Sequence, residues 1–434
     1  MMVICPMLSK FTRMVPQLHT AQISGIVCLI LATTTLAQQP SVNPATDSGE
    51  WIYSDITGKS TGGSLAKLNS ESVEWRPSKD QKNIALDWSK VEEIRRSSDP
   101  AADPLTDSAF GPMILLPDGD RLRGESVALL EKGLAIQSAS LGVLNLPSAL
   151  WSGAIFQPPR QGSEFLRLMT KLRKGALKPG DFVVLSNGDQ LQGTVVELDG
   201  ETLQIQPSGA TKPAKLKRAE IIGVGIDPKS STYPKSIQRL WEIHLSDGSR
   251  LSGTGLNLEA VENEKILMFT TRWGAVWQIP ISKIQRIRVI DPGQIDLQNR
   301  PADAIQSVDY VGLTTAPKFG TNVQGGSLNL GSRYFDRGVG TQSRTLMAYR
   351  LNGTEKQFTA WVGVDTSAGP MGQSQAMILI DGKTVYDSGP MKAGEPPRRI
   401  QLNLNQAKLL ILRSEFGEGG GIRDWVDWCE PTLK

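Results

Sequence analysis

The sequence predicts an all-β chain, with tandem small β-barrels followed by a β-sandwich. Three observations predict it. Four segments in the first two thirds repeat one glycine-marked hairpin. From about Asp303 that repeat ends, glycine becomes frequent, and longer alternating strands spaced by turn residues begin. A single short stretch, "SEFLRLMTKLRKGALKPGD" from Ser163, carries helical apolar spacing instead.

The chain opens on a segment that reads as an export signal. Lys10 and Arg13 precede the uncharged run "ISGIVCLILATTTLA", Ile23 to Ala37, with Thr35 and Ala37 as small residues at its exit. A positive flank, a short apolar core and a small-residue exit make residues 1–37 a secretory signal. The run is too short and too Thr-rich for a membrane span. Residues 38–50 read as a linker, and the mature chain is expected to carry no transmembrane span. The expected location is the periplasm, cell surface or extracellular space.

Loss of that segment narrows the available chemistry. It takes Cys5, Cys28 and His19 with it, leaving Cys429 and His244. One cysteine makes no intrachain disulfide. One Cys and one His do not fill a tetrahedral zinc shell. A Ser-His-Asp site would have to use His244, and no nucleophile motif surrounds it. The full chain has 47 Lys+Arg against 44 Asp+Glu, and removal of Lys10 and Arg13 leaves a formal charge of +1. That balance is not the footprint of a nucleic-acid binder.

The repeated hairpins read "TGKSTGG", "DGDRLRG", "NGDQLQG" and "DGSRLSG". Strand-like runs precede the last three: "MILLP", "FVVLS" and "WEIHLS". Asp-Gly or Asn-Gly between such runs predicts a type I′ turn with positive φ at both central residues. The second glycine (Gly63, Gly124, Gly193, Gly253) falls in the return strand, where it predicts a bulge or sharp bend. Each copy ends on a short apolar strand such as "AKLKRAEIIGVGI". The units fall at residues 51–98 (the weakest copy), 112–157, 181–228 and 241–291. Residues 158–180 form a linking helix, capped by Ser163 and ended by Gly175, with Phe165, Leu166, Met169 and Leu172 against a barrel. At fold level the pattern resembles SH3-like and Sm-like barrels. The RNA binding of Sm-like domains does not carry over to an exported, neutral chain.

In the C-terminal part, "QFTAWVGVD" places Phe358, Ala360, Val362 and Val364 on one face and Trp361 on the other. "AMILIDGKTVYDSG" is a hairpin around Asp381-Gly382. Together with "GVGTQSRTLMAYRL", "FTAWVGVDTSAG", "MILIDGKTVYDSGPMKAGEPP" and "DWVDWCEPTL", these segments resemble, in order and spacing, the NPCBM carbohydrate-binding-module family. The resemblance covers residues 303–434. It implies a jelly-roll β-sandwich of the kind found beside secreted glycoside hydrolases, and a galactose-type glycan as ligand. Two positions depart from the family pattern. Gln342 stands where Gly-x-Gly-x-His has histidine, and Trp425 stands where the closing motif carries His or Arg. Gln still donates and accepts to a hydroxyl, and Trp stacks on a sugar face.

The expected carbohydrate-binding residues are therefore Gln342, Arg344, Asp424, Trp425, Asp427 and Trp428. Gly338-Val339-Gly340 is read as a tight loop from which Thr341, Gln342, Ser343 and Arg344 leave as a polar edge. Trp428 reads as core, with Asp427 bonding a loop backbone. Trp361 is expected to cover a neighbouring loop or domain, and His244 to be structural. Asp365 reads as a turn cap rather than a calcium ligand, and no cofactor is expected. The function read from these residues is an exported, non-catalytic carbohydrate-binding protein whose barrels act as a scaffold or interaction array. Its partners would be a glycan and envelope proteins or glycoside hydrolases. Two alternatives stand beside it. One is a glycoside hydrolase, or an accessory subunit of one, using turn carboxylates such as Asp118, Asp120, Asp189 and Asp247. The other is a structural envelope protein that uses the sandwich for protein contacts.

Overall fold

The computed structural model describes residues 50–79, 82–97, 112–124, 126–130, 133–159, 162–174, 179–234, 238–261, 264–308, 314–418 and 420–434. The expected signal and nearly all of the linker after it lie outside these residues. Among the described residues no helix is long and apolar enough to cross a membrane.

The first repeat contains β1 (Trp51–Asp55), β2 (Ser60–Leu68), β3 (Ser72–Pro77), β4 (Ile84–Asp87) and β5 (Val91–Arg96). β1 pairs antiparallel with β2 and β5, β2 with β3, and β3 with β4. The spatial order is thus β4-β3-β2-β1-β5, and a 3-10 turn, Trp88–Lys90, joins β4 to β5. The second repeat holds β6 (Met113–Leu115), β7 (Arg121–Arg123), β8 (Ser126–Leu130), β9 (Gly133–Ser138), β10 (Gly142–Leu146) and β11 (Gly153–Ile155). There β6 pairs with β7 and β11, while β8, β9 and β10 form a separate three-stranded sheet. The third repeat, β12 (Asp181–Leu185), β13 (Gln190–Leu198), β14 (Thr202–Pro207), β15 (Ala214–Lys217) and β16 (Ile221–Gly225), restores the order of the first. So does the fourth, β17 (Leu240–Leu245), β18 (Arg250–Val261), β19 (Glu264–Thr271), β20 (Val276–Pro280) and β21 (Ile284–Ile290). Each has the same 3-10 turn before its last strand.

The turns differ from the expected type in the third and fourth repeats, and the first repeat takes the same form as these. Gly58, Gly188 and Gly248 have φ of +87°, +90° and +84°, but the residue before each does not have positive φ. In the first repeat the Gly58 N–H bonds to the Asp55 carbonyl and the Asp55 N–H to the Lys59 carbonyl, and the third and fourth repeat this pair of bonds. That is a longer turn closed by a left-handed glycine, which one Gly satisfies alone. Only the second repeat, with Asp118 at φ 55° and Gly119 at 89°, has the two-residue form. The second glycine answers to close strand approach. A Cβ at Gly63, Gly193 or Gly253 would strike the carbonyl of Arg76, Gln206 or Thr270 on the facing strand. A register shift follows within a few residues in each case.

The repeats associate in pairs through their last strands. β5 pairs with β21, joining the first and fourth, and β11 pairs with β16, joining the second and third. One apolar cluster, including Trp51, Trp75, Trp88, Ile136, Ile205, Phe269 and Ile287, runs through all four. The helix α1 spans Gly162–Lys174 and buries Phe165, Leu166 and Leu172 against Met113, Ile155 and Phe182. It therefore fills the joint between the second and third repeats. The helix begins ahead of Ser163, which lies inside it rather than capping it; Gly175 lies outside the described residues.

The remaining strands build a sandwich. They are β22 (Ile295–Asp296), β23 (Ala304–Ser307), β24 (Lys318–Phe319), β25 (Leu328–Leu330), β26 (Arg333–Phe335), β27 (Gly338–Gln342), β28 (Thr345–Arg350), β29 (Gln357–Val364), β30 (Gln373–Ile380), β31 (Lys383–Lys392), β32 (Arg398–Asn403), β33 (Leu409–Phe416) and β34 (Trp425–Leu433). One sheet runs β24-β27-β34-β29-β32, with β22 also on β34, and the other runs β23-β28-β33-β30-β31. Phe358, Ala360, Val362, Val364 and Trp428 meet Tyr349, Ile378, Leu410 and Leu412 between them. The β25–β26 hairpin covers the outer face of the first sheet through Leu328, Leu330 and Phe335, next to Cys429 and Trp361.

The sandwich sits on the repeats through ion pairs. Arg333 lies 3.3 Å from Glu93, and Arg288 3.3 Å from Glu430. Arg399 pairs with Glu92, and Arg337 with Glu242. Trp361 packs on Phe335 between the guanidiniums of Arg333 and Arg399, so it covers this seam. Asp120, at a hairpin turn, is buried and accepts from Ser252 N–H at 2.8 Å and Tyr233 O–H at 3.1 Å, tying the second repeat to the fourth.

Candidate functional site

The segment Gly338–Gln342 is strand β27, not a loop, and it runs beside β34. Its glycines serve close packing. A Cβ at Gly340 would strike the backbone of Asn322 and Val323, and one at Gly338 would come within 2.5 Å of the Trp428 carbonyl. The register sets Gln342 directly opposite Trp425 and Gly340 opposite Asp427. The strand alternation that exposes Gln342 in part turns Thr341 and Ser343 inward, so the expected four-residue polar edge is reduced to Gln342 and Arg344. Thr341 Oγ1 donates to the Val426 carbonyl at 2.9 Å.

Trp425 is half-buried, one part of it packed against the sandwich core. Its N–H bonds to the Arg423 carbonyl at 2.9 Å, and its own carbonyl accepts from Asp365 N–H at 2.9 Å. These two bonds fix its backbone at the end of the sheet. Arg344 is exposed, and its Nε lies 3.2 Å from Glu415, which also pairs with Arg413. Met371 and Ile422 are exposed at 59% and 57% on the loops that flank β34. Those loops are held together by Arg423 donating to the Ala368 carbonyl at 3.4 Å. The corner therefore offers an indole, an amide, a guanidinium and two apolar side chains. Met371, Ile422 and Arg423 were not singled out in the sequence, since an exposed Met, Ile or Arg in a Gly-rich loop carries no pattern.

The other expected residues lie beneath this corner. Asp424 is buried and accepts from Gly417 N–H at 2.9 Å and Ser343 Oγ at 3.2 Å. Burial raises its carboxyl, and these bonds oppose the rise. Trp428 is wholly buried in the core. Asp427 is wholly buried on the opposite face of β34, flanked by Gly340 and Gly363 and covered by the 320–330 segment. Neither of its oxygens finds a well-placed donor. Burial, then the charge of Asp365, push its carboxyl well above the usual carboxylate range, with the Asn329 N–H acting against them. It therefore faces a second carboxyl group rather than chiefly bonding a loop backbone. Asp365 itself caps the Thr366–Met371 turn by accepting from Ser367 N–H at 2.8 Å.

The family model for the NPCBM/NEW2 domain matches residues 302–434. The C-terminal part is an NPCBM/NEW2 domain. It is thus a module of the carbohydrate-binding type. A Renibacterium salmoninarum protein bearing the name endo-alpha-N-acetylgalactosaminidase is 30% identical over 109 residues, covering 25% of this chain. The chain spans only 7% of the length of that relative. Among solved structures, the CBM51 of a Clostridium perfringens GH95 protein in complex with methyl-galactose is 19% identical, at a TM-score of 0.30 over 32% of this chain and 99% of that one. The tandem CBM51 modules of a Streptococcus pneumoniae family 98 glycoside hydrolase are 12% identical, at a TM-score of 0.30 over 58% of this chain and 87% of that one.

Proposed function

We propose that the protein is an exported, non-catalytic glycan-binding protein, and that the NPCBM/NEW2 domain binds at the corner formed by Gln342, Trp425 and Arg344. The observation that carries this reading is the direct cross-strand pairing of Gln342 with Trp425 at an open end of the sandwich. An indole supplies a face for the C–H side of a sugar, and an amide supplies a donor and an acceptor for its hydroxyls. Asp424, Asp427 and Trp428 are buried, so in this reading they support the strand from below and do not touch ligand. A galactose-type glycan is the ligand class, supported by the family match and by the N-acetylgalactosamine in the relative's name.

The four repeats are, in this reading, SH3-like barrels that present the module. The strand order common to the first, third and fourth repeats, and the 3-10 turn present in all four, support that assignment. The test is a glycan array probed with the full chain. Selective retention on galactose-type glycans is expected. Release of reducing ends from a polysaccharide panel, lost on carboxylate substitution, would instead establish a glycoside hydrolase.

A further inference from the structure

Arg167 on α1 and Lys318 on β24 converge on one glycine where the helix meets the sandwich. A Cβ at Gly325 would lie 3.5 Å from Arg167 Nε and 3.7 Å from Lys318 Nζ. The two cations thus flank a spot that no side chain fills. Gly325 has φ +90°, so a side chain there would also be strained. Its turn is held by Asn322, which is buried. The Asn322 carbonyl accepts from Gly325 N–H at 2.9 Å, and Asn322 Oδ1 accepts from Gly326 N–H at 2.8 Å and Gln324 N–H at 3.1 Å.

No acid compensates these two cations among the described residues. Elsewhere at the seam Arg333, Arg337, Arg288 and Arg399 each meet a carboxylate. The Arg167 and Lys318 side chains form no such pair there, and Glu164, a turn earlier on α1, does not reach Arg167. Burial, and then the charge of Arg167, lower Lys318, and no carboxylate opposes them. Arg167 is exposed, which opens the spot to solvent. A guanidinium and an ammonium around a fixed gap suit an oxyanion, which both bind through charge-assisted hydrogen bonds.

The strand register relates this spot to the candidate glycan site. Lys318 sits opposite Gly340, two residues before Gln342, whose partner on β34 is Trp425. Directly opposed residues share a face, and so do residues two apart, so Lys318 and the Gln342–Trp425 pair belong to one face of one sheet. At standard strand spacings the Cα atoms of Lys318 and Gln342 are about 8 Å apart.

We propose that Arg167 and Lys318 form an oxyanion site for the sulfate ester or carboxylate of an acidic glycan whose neutral part lies at the Gln342–Trp425 corner. This rests on the glycan-binding reading of that corner and adds the charge class of its ligand.

Calorimetry of the full chain at low ionic strength, with neutral, sulfated and uronate-bearing galactose-type oligosaccharides of equal length, tests this. An acidic ligand should bind the wild type about tenfold more tightly than the neutral one. Arg167→Gln or Lys318→Gln should remove that gain and leave the neutral ligand unchanged. The sulfated and uronate arms tell which oxyanion the site takes. Sodium sulfate, against sodium chloride of equal ionic strength, reads the cations without the corner. It should raise the thermal midpoint of the wild type and of Trp425→Ala by more than that of either cation variant. A sulfate response equal in all four proteins, or an acid preference that both cation variants keep, would overturn the proposal. Binding of the neutral ligand with no acid preference in the wild type would leave the corner standing and overturn the oxyanion site. A sulfate response without any oligosaccharide binding would mean an adventitious ion only, and would overturn the corner as well.

Discussion

Asp427→Asn is a substitution whose effect on stability has a definite sign. The side chain is wholly buried and lacks a well-placed donor, and burial with the Asp365 charge lifts its carboxyl well above the usual range. In the unfolded chain the same group titrates near about 3.9. The folded protein thus keeps a proton that the unfolded chain releases above that pH. Stability from this group is full below the unfolded pKa and falls as pH rises, until the folded carboxyl itself ionises. For one proton the slope is about 1.4 kcal/mol per pH unit. Above the unfolded pKa and below the raised folded one, the wild type should lose up to about 1.4 kcal/mol per pH unit that the variant keeps. Asparagine has nearly the same shape, stays neutral, and its amide can still donate to Asp365. The assay is urea unfolding of the full chain, followed by tryptophan fluorescence, at pH 4, 5 and 6. Any slope from Glu92 occurs in both proteins and cancels in the difference. Equal slopes in the two proteins would refute a protonated Asp427. So would a variant less stable than wild type at pH 6.

Three further outcomes follow from packing and charge. Gly340→Ala drives a Cβ into the backbone of Asn322 and Val323 and should cost about 1–3 kcal/mol, read as a lowered thermal midpoint. Phe165→Ala empties the joint that α1 fills between the second and third repeats, where Phe165 is wholly buried, and should cost about 3–5 kcal/mol in urea unfolding. Glu92, raised to about 7 by burial against the pull of Arg399, contributes stability below its unfolded pKa that is lost as pH rises to about 7. Glu92→Gln should therefore flatten the decline in stability between pH 5 and 7, measured as the urea midpoint.

Much of the all-β organisation was legible because period-two alternation and turn chemistry are local signals. Phe358, Ala360, Val362 and Val364 show their common buried face in sequence, and Asp381-Gly382 marks its hairpin, with both residues at positive φ. The turn type was less legible: Asn-Gly and Asp-Gly are compatible with two turn geometries, and the hydrogen bonds of the flanking strands choose between them. The Gly338-Val339-Gly340 segment read as a loop because its glycines suggest turning. They are there because β34 approaches Gly338 and the 322–323 backbone approaches Gly340 too closely for a Cβ, long-range contacts with no local signature. The seam was not legible at all. Glu93, Glu242, Arg288 and Arg333 look like ordinary surface charges, and the pairs that join Glu93 to Arg333, Glu242 to Arg337 and Arg288 to Glu430 link residues far apart in the chain. At the candidate site, alternation along β27 separates Gln342 from Thr341 and Ser343, but the pairing of Gln342 with Trp425 depends on a register set some 80 residues away.

Isothermal calorimetry of the full chain against galactose-type and glucose-type oligosaccharides, wild type beside Trp425→Ala, tests the glycan-binding reading most directly. The account predicts binding that favours the galactose type, with affinity reduced about tenfold in the variant, or about 1.4 kcal/mol, through loss of the stacking face. Gln342→Ala should leave some affinity but shift the preference between epimers. No binding to either series, or binding that both substitutions leave unchanged, would contradict it.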